Sequence, residues 1–156
     1  MKLTLLCMGK TRERFIQEGM GKYLRYLEHY ADIGVKELKE EKIADLKDAP
    51  LIRKKEAERV FKAVPVDSYL VSLDERGEEF TSHEFAAFLN SQLDSGVREI
   101  VFVLGGAMGL DEEVTARSNK TVALSRWTFT HEMARLVLLE QLYRAFTIIK
   151  GKTYHY

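Results

Sequence analysis

Apolar residues along the chain fall into short continuous runs and into longer runs with helical spacing. The continuous runs predict buried strands at 2–8, 68–73, 100–104 and 120–124. A fifth run, 33–38, alternates between apolar and polar residues and predicts a half-exposed edge strand. The unbroken run IVFVL at 100–104 is typical of the centre of a parallel sheet.

The segments between these strands have apolar residues near helical spacing. Pro50 fits the first position of a helix, Thr81 or Ser82 can cap another, and Gly96 can close it. The helices are predicted at 12–30, 51–64, from Thr81–Ser82 to 93, 110–118 and 131–149. Strand and helix alternate about five times, which predicts one α/β domain over residues 1–156, with three layers and a mostly parallel sheet.

Parallel sheets of this kind bind ligands beyond the carboxyl ends of their strands. The loops after Leu73, Leu104 and Leu124 are therefore the places where a site is expected. Asp74 and Glu75 follow the first of these strand ends, where a cofactor contact and a plain polar turn are equally compatible with the sequence.

Composition narrows the class of protein. The chain is 46% hydrophobic and 31% charged, which is ordinary for a globular domain. Its 24 basic and 24 acidic side chains cancel, which argues against non-specific, charge-driven binding to any nucleic acid. Cys7 is the one cysteine, which excludes an intrachain disulfide and fits a reducing compartment. No apolar run is long enough to cross a bilayer, so a cytoplasmic protein is expected.

Two loops can carry a ligand. LGGAMGL at 104–110 brings a glycine pair directly after a buried strand, where main-chain N–H groups can approach a ligand closely. Its spacing matches neither the dinucleotide fingerprint nor a P-loop, and a tight turn explains it equally well. SRWTFTH at 125–131 can wrap an adenine with main-chain hydrogen bonds and apolar walls. Alternatively, Trp127 and Phe129 fill the core while Thr130 caps the last helix.

The last helix and the tail add charged and aromatic side chains. Glu140 and Arg144 are spaced for an i,i+4 pair, although Arg135 and Arg144 can also face a phosphate or a uracil carbonyl. The tail KTYHY at 152–156 can stack on bases, unless it is simply a frayed terminus. No grouping of His with other ligands predicts a metal site, and no hydrolase triad is evident.

Several segments together resemble one family, the SPOUT-class large-subunit ribosomal RNA methyltransferases H. They are MKLTLLCMGK, LVSLDERG, VFVLGGAMGL, ALSRWTFTHEMARLVLLEQLYRAF and GKTYHY, and the resemblance covers essentially all 156 residues in order. It implies S-adenosylmethionine as cofactor and N3 of a pseudouridine in 23S ribosomal RNA as the target. It also implies a homodimer and a C-terminal trefoil knot, which is a rare exception to ordinary topology.

The resemblance also assigns site residues. Those implied to bind the cofactor are Leu73, Gly105, Gly106, Ser125, Arg126, Trp127, Thr128, Phe129 and Thr130. Those implied to lie near the target base are His131, Arg144, Tyr154 and His155. The chain has Thr130 where the family usually has proline, and it ends in Tyr156 where the family tail often has a basic residue.

These assignments give a mechanistic hypothesis. His155 handles the N3 proton, because imidazole exchanges protons near neutral pH. Arg144 stabilises charge on the uracil carbonyls, and His131 orients the loop. A basic group can face the RNA, unless it is a solvated surface: Lys36, Lys39, Lys42, Arg53, Lys54 and Lys55. The alternatives are a non-catalytic ribosome-binding module, an enzyme using another nucleotide, and a SPOUT methyltransferase with a different RNA substrate.

Overall fold

Five parallel strands form a single sheet in the computed structural model, which describes residues 1–153. The strands are β1 (Lys2–Met8), β2 (Asp32–Leu38), β3 (Tyr69–Glu79), β4 (Glu99–Leu104) and β5 (Lys120–Ala123). They lie in the order β2-β1-β4-β3-β5, and every pair of neighbours is parallel. The continuous run of β4 is therefore at the centre, and the alternating run of β2 is at an edge, as predicted.

Helices cover both faces of the sheet. They are α1 (Arg14–Leu27), α2 (Ala49–Ala63), α3 (Ser82–Asp94), α4 (Glu112–Arg117) and α5 (His131–Ile149), with a 3₁₀ turn at Leu46–Asp48. Alternate side chains of the strands pack on α1, α3 and α5 in the larger core and on α2 and α4 in the smaller one. The predicted three-layer α/β arrangement is confirmed, while the trefoil knot stays a prediction of the family resemblance.

The ends of the helices follow from local hydrogen bonds. Thr81 caps α3 in a capping box with Glu84, in which the Glu84 N–H donates to Thr81 Oγ1 at 3.2 Å and the Thr81 N–H donates to Glu84 Oε2 at 2.7 Å. Gly96 follows α3 with φ of 77°. The helix predicted at 110–118 begins only at Glu112, because Asp111 accepts the N–H of Glu113 and caps it.

Two further elements differ from their predicted bounds by several residues. The first helix spans Arg14–Leu27 rather than 12–30, because residues 9–13 form a loop and the N–H groups of Tyr30 and Ala31 turn back to the Leu27 carbonyl. β3 does not stop at Leu73 but continues to Glu79. Its last residues are charged, and only their pairing with β5 makes them a strand.

Candidate functional site

A cleft of about 840 Å³ opens at the carboxyl ends of β3, β4 and β5. Its volume lies in the range of roughly 300–1,000 Å³ that is common for small-molecule sites. The loops after Leu73, Leu104 and Leu124 meet there, as the sequence predicts. The lining residues are Arg53, Leu73–Arg76, Leu104–Leu110, Glu112, Leu124, Ser125, Trp127–His131 and Ala134.

The glycine turn after β4 forms one wall. A Cβ on Gly105 would lie 2.7 Å from the Gly109 carbonyl carbon, so the main chain folds back on itself too tightly for any side chain there. The Gly109 N–H donates to the Gly106 carbonyl at 3.0 Å and closes the turn. The turn thus brings main-chain groups, rather than side chains, to the edge of the cleft.

A buried carboxylate lies behind this turn. Glu56 is 6% exposed, and its Oε2 lies 3.5 Å from the position that a Cβ on Gly106 would take. Its Oε1 accepts the N–H of Glu41 at 3.0 Å. Burial raises the pKa of the Glu56 carboxyl, although the Glu41 N–H and the Arg59 guanidinium act in the opposite direction. The Glu56 carboxyl beside the glycine turn is therefore harder to ionise than an exposed glutamate.

A bulge in β3 forms the second wall. Leu73 and Glu78 both pair with Val122, so residues 74–77 leave the sheet between them. Asp74 fastens the bulge, since its carboxylate accepts the N–H of Arg76 at 2.9 Å and two guanidinium bonds at 2.9 and 3.1 Å. These bonds to Arg76 hold the pKa of the Asp74 carboxyl below its usual range. Gly77 closes the bulge where a Cβ would lie 2.7 Å from the Val122 main chain.

The loop from Leu124 to Thr130 forms the third wall. Ser125 Oγ accepts the N–H of Trp127 at 3.0 Å, and Thr130 Oγ1 accepts the N–H of Met133 at 3.2 Å, which caps α5. Trp127 is 81% exposed and Phe129 is 39% exposed. The cap at Thr130 is confirmed, but the two aromatic rings do not fill the core, because both are exposed at the cleft.

The first turn of α5 joins the cleft to α1. His131 lines the cleft, while the next residue, Glu132, turns inward and is 8% exposed. Glu132 Oε2 accepts the N–H groups of Arg12 at 3.0 Å and Glu13 at 2.9 Å, directly before α1 begins. Burial raises the pKa of Glu132, but these two donors, together with the charges of His131 and Arg135, outweigh it and leave the pKa below its ordinary value.

Arg135 lies one turn further along α5 and is completely buried. Its guanidinium donates to the Met8 carbonyl at 2.6 Å and to Thr11 Oγ1 at 2.7 Å, and its Nη1 lies 3.8 Å from a carboxylate oxygen of Glu37. It therefore holds the loop after β1 rather than facing a ligand. Glu132 and Arg135 together fix the segment from Gly9 to Glu13 against α5.

Two of the implied site residues lie elsewhere in the structure, and two fall outside residues 1–153. Arg126 does not line the cleft, because its side chain turns to Glu79 with an Nε–Oε1 distance of 2.8 Å. Arg144 forms the predicted pair with Glu140 at 2.5 Å and is not part of the cleft wall. Tyr154 and His155 lie outside the described residues.

The sequence did not single out some residues that line or support the cleft. Arg76, Met108 and Glu112 lie in its wall, and Glu132 supports it from behind. Two charged residues three positions apart in the otherwise apolar start of α5 were the signal that could have identified Glu132 and Arg135. Of the six residues of the predicted basic group, Arg53 alone lines the cleft, and the five lysines are exposed.

Residues 1–153 contain no cluster of His, Cys, Asp and Glu that could hold a metal ion. Over the same residues, no helix is both long enough and apolar enough to span a membrane.

Comparison with known proteins gives sequence relatives and fold neighbours. A family profile described as "Predicted SPOUT methyltransferase" matches residues 1–155. Proteins named ribosomal RNA large subunit methyltransferase H are similar over the full length of both chains. They include those of Geotalea daltonii, 45% identical over 156 residues, with 100% of both chains covered, and Clostridium acetobutylicum, 39% identical over 158 residues, with 99% of both covered.

Two solved structures share the fold at low identity. A probable methylase family protein from Haemophilus influenzae Rd KW20 has a TM-score of 0.52 and 15% identity, over 99% of this chain and 70% of that one. A putative methylase family protein from Neisseria gonorrhoeae has a TM-score of 0.54 and 12% identity, over 99% of this chain and 85% of that one. These two likenesses concern the fold alone.

Proposed function

The chain belongs to the SPOUT methyltransferase family, and we propose that it transfers a methyl group from S-adenosylmethionine to large-subunit ribosomal RNA. The target is N3 of a pseudouridine in 23S RNA, on assembled ribosomes. The observation that carries this proposal is the cleft in which the glycine turn, the bulge of β3 and the loop before α5 meet. The activity in the names of the full-length relatives supports the RNA class.

The cleft fits the cofactor by its size and by its walls. Leu73 at the bulge of β3, and Leu104 and Leu124 at the ends of β4 and β5, offer apolar surface, and the glycine turn offers main-chain groups for polar contacts. S-adenosylmethionine, when bound, supplies a methyl group on a cationic sulfur that leaves as a neutral thioether. The residues assigned to hold it are Leu73, Gly105, Gly106, Ser125, Trp127, Thr128, Phe129 and Thr130, all of which line the cleft.

The protein's own groups then have to hold the target base and accept its N3 proton. His131 lines the cleft at the start of α5 and orients the loop before it. Tyr154 and His155 belong to the same proposal, with His155 as the proton acceptor. Arg144 reaches a uracil carbonyl only if its guanidinium shares or leaves Glu140. A His155→Ala variant with full turnover at saturating cofactor would remove His155 from this role.

The proposal extends to the assembly and its location. The protein acts as a homodimer in the cytoplasm, where ribosomes are. The neutral overall charge of the chain supports recognition of a shaped particle rather than of free RNA. The C-terminal trefoil knot belongs to the same proposal.

Calorimetric titration with S-adenosylmethionine tests the cofactor assignment, with ATP and NAD as controls. We expect selective binding near one cofactor per chain; a smaller ratio would indicate unequal sites in a dimer. A folded protein that binds no S-adenosylmethionine but still associates with ribosomes would instead be a non-catalytic ribosome-binding module. Selective binding of ATP or NAD would overturn the proposal in favour of another nucleotide enzyme.

A further inference from the structure

Trp127 is a large, exposed apolar side chain at the mouth of the cleft. Its indole is 81% exposed, and within residues 1–153 no other ring is in contact with it. A tryptophan is rarely left so open in a folded protein, because burying its ring is strongly favourable. We therefore expect another molecule to cover the exposed indole face.

The main chain beneath the indole is held in place. Ser125 Oγ accepts the Trp127 N–H at 3.0 Å, and Thr130 fixes the other end of the loop by capping α5. The indole is thus mounted on a loop anchored at both ends, so an occupant that stacks on it orders little additional chain. Such a small loss of conformational entropy on binding is typical of recognition by aromatic side chains.

The proposed cofactor contact of Trp127 uses its main chain and leaves the ring free. Apolar walls of the cleft come from Leu73 at the bulge of β3 and from Leu104 and Leu124 after the other strands, and Leu104 is 3% exposed. Trp127 lies at the open side, where a second reactant has to enter. Its main chain can serve the cofactor while its indole remains available to that reactant.

We propose that the Trp127 indole is the stacking surface for a base of the RNA substrate at the mouth of the cleft. This inference rests on the proposed function, because methyl transfer to a base requires that base to leave its own stack and approach the donor. An aromatic face replaces the stacking energy that the base loses. The indole can stack on any of the four bases, so it positions the nucleotide without selecting its identity.

The surroundings of the indole suit a nucleic acid, which the proposed reaction brings to this cleft. The neighbours of Trp127 in the chain are Arg126, whose exposed side chain pairs with Glu79 at 2.8 Å, and the exposed Thr128. A guanidinium beside an aromatic ring can meet the phosphate next to a stacked base, and here Arg126 would do so by sharing or leaving Glu79.

Methyl-transfer kinetics on ribosomes provide the first test. Trp127→Ala should lower kcat/KM for ribosomes by at least about fivefold, in line with the loss of one base–aromatic stack. Trp127→Phe should recover most of this loss, and both variants should bind S-adenosylmethionine within about twofold of the wild type. Val66→Ala serves as the control, because Val66 is fully exposed and does not line the cleft.

Three results would overturn the inference. Unchanged kcat/KM in Trp127→Ala would mean that the ring has no substrate role. A parallel loss of cofactor affinity would mean that the indole serves the cofactor. Loss of the dimer in Trp127→Ala, measured by analytical ultracentrifugation, would mean that a second copy covers the ring. A wild-type protein that transfers no methyl group to ribosomal RNA would instead refute the proposed function, which separates the two failures.

Fluorescence quenching adds an independent readout, because Trp127 is the only tryptophan. In the free protein the emission should be that of a hydrated indole, and acrylamide should quench it readily. Saturating S-adenosylhomocysteine should leave that quenching nearly unchanged. An indole that is already shielded in the free protein, or that becomes shielded by the cofactor alone, would contradict the proposal that its face stacks on an RNA base.

Discussion

The carboxylate of Glu132 should be worth about 2–3 kcal/mol to the stability of the fold. It accepts two main-chain N–H groups through one oxygen, at 3.0 Å from Arg12 and 2.9 Å from Glu13, and it is 8% exposed. A hydrogen bond to a charged group contributes roughly 1.5–3 kcal/mol, and the shared acceptor and partial access of water keep the sum near the value of one strong bond. The charge also lies at the start of α1, where the helix dipole favours it.

Glu132→Ala removes both bonds, and thermal unfolding followed by circular dichroism measures the loss. At roughly 2–4 °C per kcal/mol for a chain of this size, Tm should fall by about 5–10 °C. Glu132→Gln keeps an acceptor without the charge and should lose about half as much. Glu18→Ala is the control, because it removes an exposed i,i+4 partner of Arg14 and should change Tm little.

The pH dependence of the same difference tests its electrostatic origin. The pKa of Glu132 in the folded protein lies below its ordinary value. Its contribution is therefore fully present above the pKa of the unfolded chain and is lost as the pH falls through the folded-state pKa. The gap between wild type and Glu132→Ala should be constant near neutral pH and should shrink in acid. A gap below about 0.5 kcal/mol at pH 7, or one that persists unchanged in acid, would refute this reasoning.

Three further outcomes follow from the cleft and the core. Gly105→Ala should weaken S-adenosylmethionine binding by about tenfold or more in calorimetry, because the new Cβ would lie 2.7 Å from the Gly109 main chain and the turn must shift. Cys7, whose pKa burial raises to about 12, should not react with a thiol reagent at pH 8 until the protein unfolds, when one thiol per chain should appear. Glu56→Gln should stabilise the protein at pH 7, because the folded-state pKa of Glu56 is raised and its ionisation costs stability as the pH rises; the gain should vanish when urea unfolding is repeated in acid.

Elements with a strong local signal could be predicted from the sequence. The apolar run of β1 and the helical pattern of α5 gave the bounds that the structure has, at Lys2–Met8 and His131–Ile149. Thr81 was one of the two caps predicted for α3, and the structure selects it through the capping box with Glu84. The position of the cleft followed from the rule that ligands bind at the carboxyl ends of parallel strands.

Long-range contacts decided what the sequence could not. The charged end of β3 has no strand pattern of its own, and it becomes a strand because Glu78 and Glu79 pair with β5. The contact of Glu132 with Arg12 joins residues 120 positions apart, which no local pattern records. The exposure of Trp127 was likewise open, since a ring beside a strand end can turn to the core or to the cleft.

Transfer of a labelled methyl group from S-adenosylmethionine to ribosomes lacking the modification tests the central claim most directly. The purified protein should label 23S RNA to near one methyl per ribosome, and mass spectrometry of the digested RNA should find it on N3 of a pseudouridine. Label confined to 16S RNA or to ribosomal protein, or no label with active ribosomes and a cofactor-binding protein, would contradict the account.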